Sequence, residues 1–244
     1  MNQWFSSYMD QPFSMFGVSH IAMLMLYSAG LALLVFAHKQ LRKQQTSYQI
    51  VRWLLFVLLI VSEFSYQTWA AVHDLWSMKE YLPLHLCGVA SLVAAAALVT
   101  QHHNLIKATY FIAVIPTLMA LVTPDLPHDY LHYRFWKFFF HHMAISWAGI
   151  LLILVHPVTI TWKTTWKVFG LLVLYAITIG FVNQALGSNY LYLSRTPAVE
   201  TPLEWLGSGF WYYINLGLLT FGSFWLLYFI YRLFIKLDSA SYDK

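Results

Sequence analysis

The sequence predicts an all-α protein, a polytopic bundle of seven transmembrane helices, and three observations lead there. Of its 244 residues, 59% are hydrophobic and only 10% are charged, against about a quarter charged in an ordinary soluble domain. Seven apolar runs follow one another along the chain, and a spanning helix needs about 20 mainly apolar residues. Backbone groups in hydrocarbon must pair within their own segment, which a helix does and an open sheet cannot, so the runs read as helices despite their many Val, Ile, Phe and Tyr residues.

The expected spans are residues 16–37, 50–72, 82–100, 105–122, 136–156, 166–185 and 209–235, within one transmembrane domain covering 1–244. The first follows ten residues without Lys or Arg; the charged start of a cleavable secretory signal is missing, so the N-terminus reads as mature. The second carries a mid-span acid, Glu63. Pro83 falls in the first turn of the third, where its missing donor costs little, and Pro116 lies inside the fourth, which it should kink. Trp136 opens the fifth and Trp166 the sixth; with Trp4, Trp76, Trp162, Trp205 and Trp211 they sit near span ends, where a ring with one polar edge suits the headgroup region. Before the seventh comes the longest loop, about 186–208, rich in Asn, Ser, Pro and Tyr; long ordered loops often carry function.

Orientation follows from Lys and Arg in alternate segments. With the N-terminus outside, Lys39, Arg42, Lys43, Arg52, Lys107, Lys163, Lys167, Arg232, Lys236 and Lys244 are cytoplasmic, and Lys79, Arg134, Lys137 and Arg195 are external. Ten against four puts the C-terminus in the cytoplasm. Asp10, Asp74, Glu80, Asp125, Asp129, Glu200 and Glu204 then make the outer face acidic. The expected location is the cell membrane, with membrane lipids as partners.

One cysteine, Cys87, excludes an intrachain disulfide framework, and no paired Cys/His spacing resembles a zinc site. The net charge of +4 comes from residues flanking spans, without the basic stripe or phosphate loop of a nucleic-acid or nucleotide binder. Of the histidines, His38, His102, His103 and His156 lie at the opposite membrane face from His20, His73, His85 and His142, which argues against one metal centre. No cofactor is expected.

Polar groups inside a membrane need a partner, a cavity or a task. The candidates are Glu63, Tyr66, Gln67, His85, Cys87, His141, His142, Ser146, Asn183, Gln184 and Asn215. Cys87 and His142 share a depth, roughly 7 to 9 Å below the outer boundary at 1.5 Å per residue. Helix phase continues the Cys87 face through Ser91 and Ala94, and the His142 face through Ser146 and Gly149. Such small or polar stripes lie between packed membrane helices. His141 shares a more apolar face with Ala144, Ile145 and Ala148, and His85 is about 200° around the helix from Cys87. A base for Cys87 must come from another helix, and His142 is the candidate. Glu63, with Tyr66 and Gln67 on its face, is placed to orient a histidine or bind a polar headgroup. Each residue also has a plainer reading: Cys87 as a small packing residue, His142 as an interhelical hydrogen bond, Glu63 as a neutral acid bonded to a neighbour.

Four stretches carry a family resemblance: Leu82-Pro83-Leu84-His85-Leu86-Cys87; Thr123-Pro124-Asp125-Leu126; Arg134-Phe135-Trp136-Lys137-Phe138-Phe139 followed by His142; and Gly187-Ser188-Asn189-Tyr190-Leu191-Tyr192-Leu193 with Pro197. In this order they resemble the YwaF-type bacterial integral membrane proteins, related to eukaryotic transmembrane protein 164. The bacterial members are largely uncharacterised. The eukaryotic branch is regarded as a phospholipid acyltransferase with a cysteine nucleophile and a histidine, and the resemblance maps these onto Cys87 and His142. It implies a thioester on Cys87 formed from a phospholipid and passed to a lysophospholipid hydroxyl. Asn189, Tyr190 and Arg134 are then candidate donors to the carbonyl oxygen, with Arg134 or Lys137 alternatively holding a lipid phosphate. A reading from another class is a lipid or small-solute binding or transport protein with Glu63, His142 and Asn183 along a pathway, which predicts polar residues through the full membrane depth. A partner subunit without chemistry is a third.

Overall fold

A computed structural model describes residues 4–7, 12–196 and 202–240, and of 202, 239 and 240 the backbone alone; Asp10, Pro197, Glu200 and Lys244 lie outside the described residues. Among these the chain forms seven α-helices: α1 (Val18–Lys43), α2 (Gln45–Val72), α3 (Leu86–Thr100), α4 (His103–Val122), α5 (Tyr133–Val155), α6 (Trp162–Leu186) and α7 (Gly209–Ala240), with two short 3₁₀ turns at Tyr190–Tyr192 and Pro202–Leu206. No strand is present among the described residues, only an isolated bridge between Pro12 and His128. Six of the helices are long and apolar enough to cross a membrane.

The exception is α3, with 15 residues. The run expected to start at 82 becomes helical only at Leu86, and Pro83 lies in a preceding turn rather than in the helix. That turn folds back over the helix start. A Cβ on Gly88 would stand 2.7 Å from the Pro83 carbonyl oxygen, so only glycine lets the turn lie there.

Each of the other helices extends beyond its expected span at one end or both, where polar turns continue the hydrogen-bonded ladder past the apolar run, while α1 starts at 18 rather than 16 and α5 ends at 155 rather than 156. Thr161 and Thr164 close a capping box that starts α6 four residues before the expected 166. Gly187, at φ +62°, ends α6 in the left-handed conformation that favours glycine. Pro116 lies inside α4, and the next hydroxyl, Thr117 Oγ1, donates to the carbonyls of Ala113 and Val114.

Helix α5 is the axis of the bundle. It packs against α1, α2, α3 and α4, and from Phe139 to Leu154 it is buried nearly all round. Tyr27 and Ser146 hydroxyls bond at 2.9 Å across α1 and α5, so Ser146 has a partner in α1. Helices α6 and α7 pair with each other and lean on α4, with most of their surface exposed. Tyr110 pins α7 to α4 by donating to the Leu227 carbonyl at 2.9 Å.

At the end carrying the α1–α2, α3–α4 and α5–α6 connections, Asp238 of α7 meets His38, Lys39 and Arg42 of α1, the closest contact being 2.7 Å to Arg42. The opposite end, with the α2–α3, α4–α5 and α6–α7 loops, is termed here the loop end.

Candidate functional site at the loop end

A cavity of about 1160 Å³ opens between the α6–α7 pair and the faces of α2, α4 and α5, roofed by the turn before α3 and by residues 191–194. It exceeds the 300–1,000 Å³ usual for small-molecule pockets. Its walls are divided by polarity. Near the loop end they present Glu63, Gln67, His85, Asp125, Arg134 and Lys137; farther along α6 and α7 they present Phe169, Leu172, Val173, Leu219 and Phe224. From Gln184 to Phe169 along α6 is roughly 22 Å at 1.5 Å per residue, so the apolar part runs deep into the bundle. Thr220 and Ser223 are the deep hydroxyls, and both donate to carbonyls of their own helix. The cavity is amphipathic along its length.

Cys87 and His142 both line it. Cys87 is the second residue of α3, where unpaired backbone donors and the helix dipole favour a negative sulfur. His142 Nδ1 lies 2.7 Å from the Phe138 carbonyl and must be its protonated nitrogen, which leaves Nε2 as the basic one. No hydrogen bond joins the thiol to His142. His141 also reaches the cavity, but its Nε2 bonds the Ser91 hydroxyl at 2.9 Å. The stripe read from Cys87 through Ser91 therefore meets the other histidine.

Glu63 faces the cavity and accepts a 2.7 Å hydrogen bond from Gln67 Nε2, which also donates to the Tyr81 carbonyl at 2.8 Å. Trp76 in turn donates to Gln67 Oε1 at 2.7 Å, so the amide is held at both ends. Arg134 and Lys137, one turn apart on α5, lie against aromatic rings. The Arg134 guanidinium is 5.4 Å from the Trp69 ring, and Lys137 Nζ is 4.1 Å from that of Tyr66. Neither side chain has a hydrogen bond or an ion pair within 4 Å among the described residues. Two cations thus face a cavity without a bonded anion.

Asn189 and Tyr190, read as donors to a reacting carbonyl, do not line the cavity. Asn189 organises its own loop, accepting from the backbone of Ser194 and Arg195 and donating to the Arg195 carbonyl. Tyr190 is fully buried behind the wall; its hydroxyl donates to the Met78 carbonyl at 2.7 Å and accepts from Leu82 N–H at 3.0 Å. Asn183 uses both ends of its amide on Ser188 and Tyr190 rather than on a pathway. Gln184 lines the cavity, while Asn215 donates to the Leu206 carbonyl.

Sequence reasoning singled out neither Asp125 nor Tyr192 as a site residue. Both line the cavity, joined by a 3.2 Å hydrogen bond from the phenol to the carboxylate. Burial, then the neighbouring Asp125, pushes the Tyr192 phenol above its ordinary range. Membership of the quoted stretches was the one signal for either. Among the described residues no group of three or more His, Cys, Asp or Glu side chains is arranged to hold a metal ion.

The fold and cavity define a membrane-type helical protein with an amphipathic pocket at one end of its bundle. Residues 15–228 match the TMEM164 family, and the chain belongs to it. No curated protein and no solved structure matches the chain.

Proposed function

We propose that this protein is a cell-membrane phospholipid acyltransferase or acyl hydrolase with Cys87 as nucleophile and His142 as base. The observation that carries the reading is the lengthwise division of one cavity, with Cys87, His142 and two cations at its polar end and an apolar tunnel beyond. A phospholipid has the same division. In this reading seven helices cross the membrane, with the loop end and the N-terminus outside and the C-terminus in the cytoplasm. The short α3 and the turn before it together complete one crossing.

The lipid phosphate lies at Arg134, with Lys137 beside it, and Glu63 contacts the polar headgroup. His142 Nε2 takes the thiol proton, and the sulfur attacks the ester carbonyl carbon. The S–C bond forms as the ester C–O bond breaks, and the leaving lysophospholipid oxygen takes the proton from His142. A second lysophospholipid hydroxyl, or water, then gives its proton to His142 and attacks the thioester, and the sulfur leaves as thiolate. Splitting the transfer in two is what a covalent nucleophile offers. The polar liners are concentrated at one end while the deep walls are apolar, which supports a pocket over a transport pathway.

Purified protein incubated with mixed phospholipids is expected to carry an acyl mass adduct that hydroxylamine removes. The adduct should be absent from Cys87→Ala and its turnover slowed in His142→Ala. Ordinary thiol reactivity without any adduct, under rapid-quench conditions as well, would favour lipid binding or transport without covalent chemistry, as would full turnover by Cys87→Ser.

A further inference from the structure

We propose that Lys137 is the charge partner of the Cys87 sulfur, the cation that favours its thiolate, while His142 handles protons only. The inference rests on the acyl-transfer reading for its purpose but not for its test. Three features carry it. First, His141 of α5 and Ser91 of α3 bond at 2.9 Å, and Lys137 and Cys87 each lie one turn nearer the loop end on the same faces of those two helices, lining one cavity. Second, the ammonium has no hydrogen bond and no ion pair within 4 Å among the described residues; the Tyr66 ring face, 4.1 Å away, is its seat. A cation left without a bonded anion in a largely apolar cavity is costly unless an anion forms or enters there. Third, His142 makes no hydrogen bond to Cys87; its ring bond runs from Nδ1–H to the Phe138 carbonyl.

The sulfur therefore gains its stabilisation from the Lys137 ammonium, together with the first turn of α3, instead of from a direct thiolate–imidazolium pair. The surroundings of Lys137 set how strongly it acts. Glu63 and Tyr66 face it from α2, Cys87 from α3, and Arg134, His141 and His142 from its own helix. His85, Asp125 and Tyr192 complete the polar end of the cavity. Glu63 competes with Cys87 for the Lys137 charge. Arg134 opposes that charge and adds to the positive field.

Cys87 is the single cysteine of the chain, so alkylation of the intact protein reads that thiol alone. The rate of modification by a membrane-permeant maleimide, followed against pH in detergent, gives the thiol titration. In Lys137→Met its midpoint should rise by about 1 to 3 pH units, the usual effect of losing an opposite charge nearby, and Lys137→Arg should restore most of the loss. An unmoved midpoint in folded Lys137→Met overturns the proposal. Should that variant fail to fold, Glu63→Gln decides: freed of its competitor, Lys137 should lower the midpoint, and an unchanged or raised one overturns the proposal. The two readings separate cleanly. A shifted titration without any thioester removes acyl transfer and keeps the pairing; a thioester with an unmoved titration removes the pairing and keeps acyl transfer.

Discussion

At the scale of single residues, the environment of Cys87 is set by the residue after it. Gly88 admits the Pro83 carbonyl to a distance that no Cβ tolerates, and so holds the Leu82–His85 turn against the start of α3. The obstacle is backbone, not the end of a flexible side chain, so the turn itself must move to relieve a clash. Gly88→Ala is expected to lower stability by about 1–3 kcal/mol, the usual cost of overpacking. The measurements are thermal unfolding in detergent and the alkylation rate of Cys87, which should change with the displaced turn. Unaltered values of both would show that the turn yields freely. The same turn is held from outside by Tyr175, whose hydroxyl donates to the Leu84 carbonyl at 2.8 Å, and by Tyr190.

At the scale of elements, the start of α5 is joined to the N-terminal segment through His132, whose bonds require a neutral ring. His132 caps α5 by accepting the Arg134 N–H at Nδ1, and its Nε2 donates to the Ser6 carbonyl at 2.8 Å. Tyr133 N–H donates to the Trp4 carbonyl at 2.9 Å, and Trp69 to that of Phe5 at 3.0 Å. The His128 ring lies tilted against that of His132, with centroids 4.2 Å apart. Burial, with His132 and Arg134 beside it, lowers His128 from 6.5 to about 4, and burial lowers His132 as well. The sign follows from linkage. The unfolded chain accepts a proton that the folded loop refuses, so this stability is fully present above about pH 6.5 and is lost as pH falls toward about 4. Thermal midpoints taken across that window should fall, and His128→Phe should flatten part of the decline. An equal slope in the variant would remove His128 from the account.

At the scale of the whole molecule, the bundle has a firm part and a looser one. Helix α5 and its neighbours form a continuous core, whereas α6 and α7 touch chiefly each other and α4, and so leave the cavity between the two parts. Gly180 lies on the cavity wall, and a Cβ there meets nothing within 4 Å. A larger side chain should therefore grow into the space without displacing anything. If the cavity takes phospholipid as proposed, Gly180→Leu is expected to reduce the phospholipid bound from mixed micelles, read by native mass spectrometry, while its thermal midpoint holds or rises. Replacing a helical glycine gains up to about 1 kcal/mol in propensity. Full lipid occupancy in this variant would place the bound lipid outside the cavity.

What the sequence by itself determined is the solvent of this protein and its class of fold. Hydropathy and internal backbone pairing act within one segment, so seven helices and most of their positions were legible without knowledge of any neighbour. The polar residues costly enough to need a reason were legible too, and Glu63, Cys87, Arg134 and His142 do share one cavity. Their partners were not. Ser91, read as part of the Cys87 stripe, pairs with His141; Asn189 and Tyr190 turn away into their own loop; α3 begins at Leu86 because a turn occupies the residues before it. Only the tertiary structure decided these matters, and it brought Lys137 of α5 and Cys87 of α3 to one cavity. Contacts between helices depend on how their faces meet and how the connecting turns fold back, and neither leaves a period in the chain.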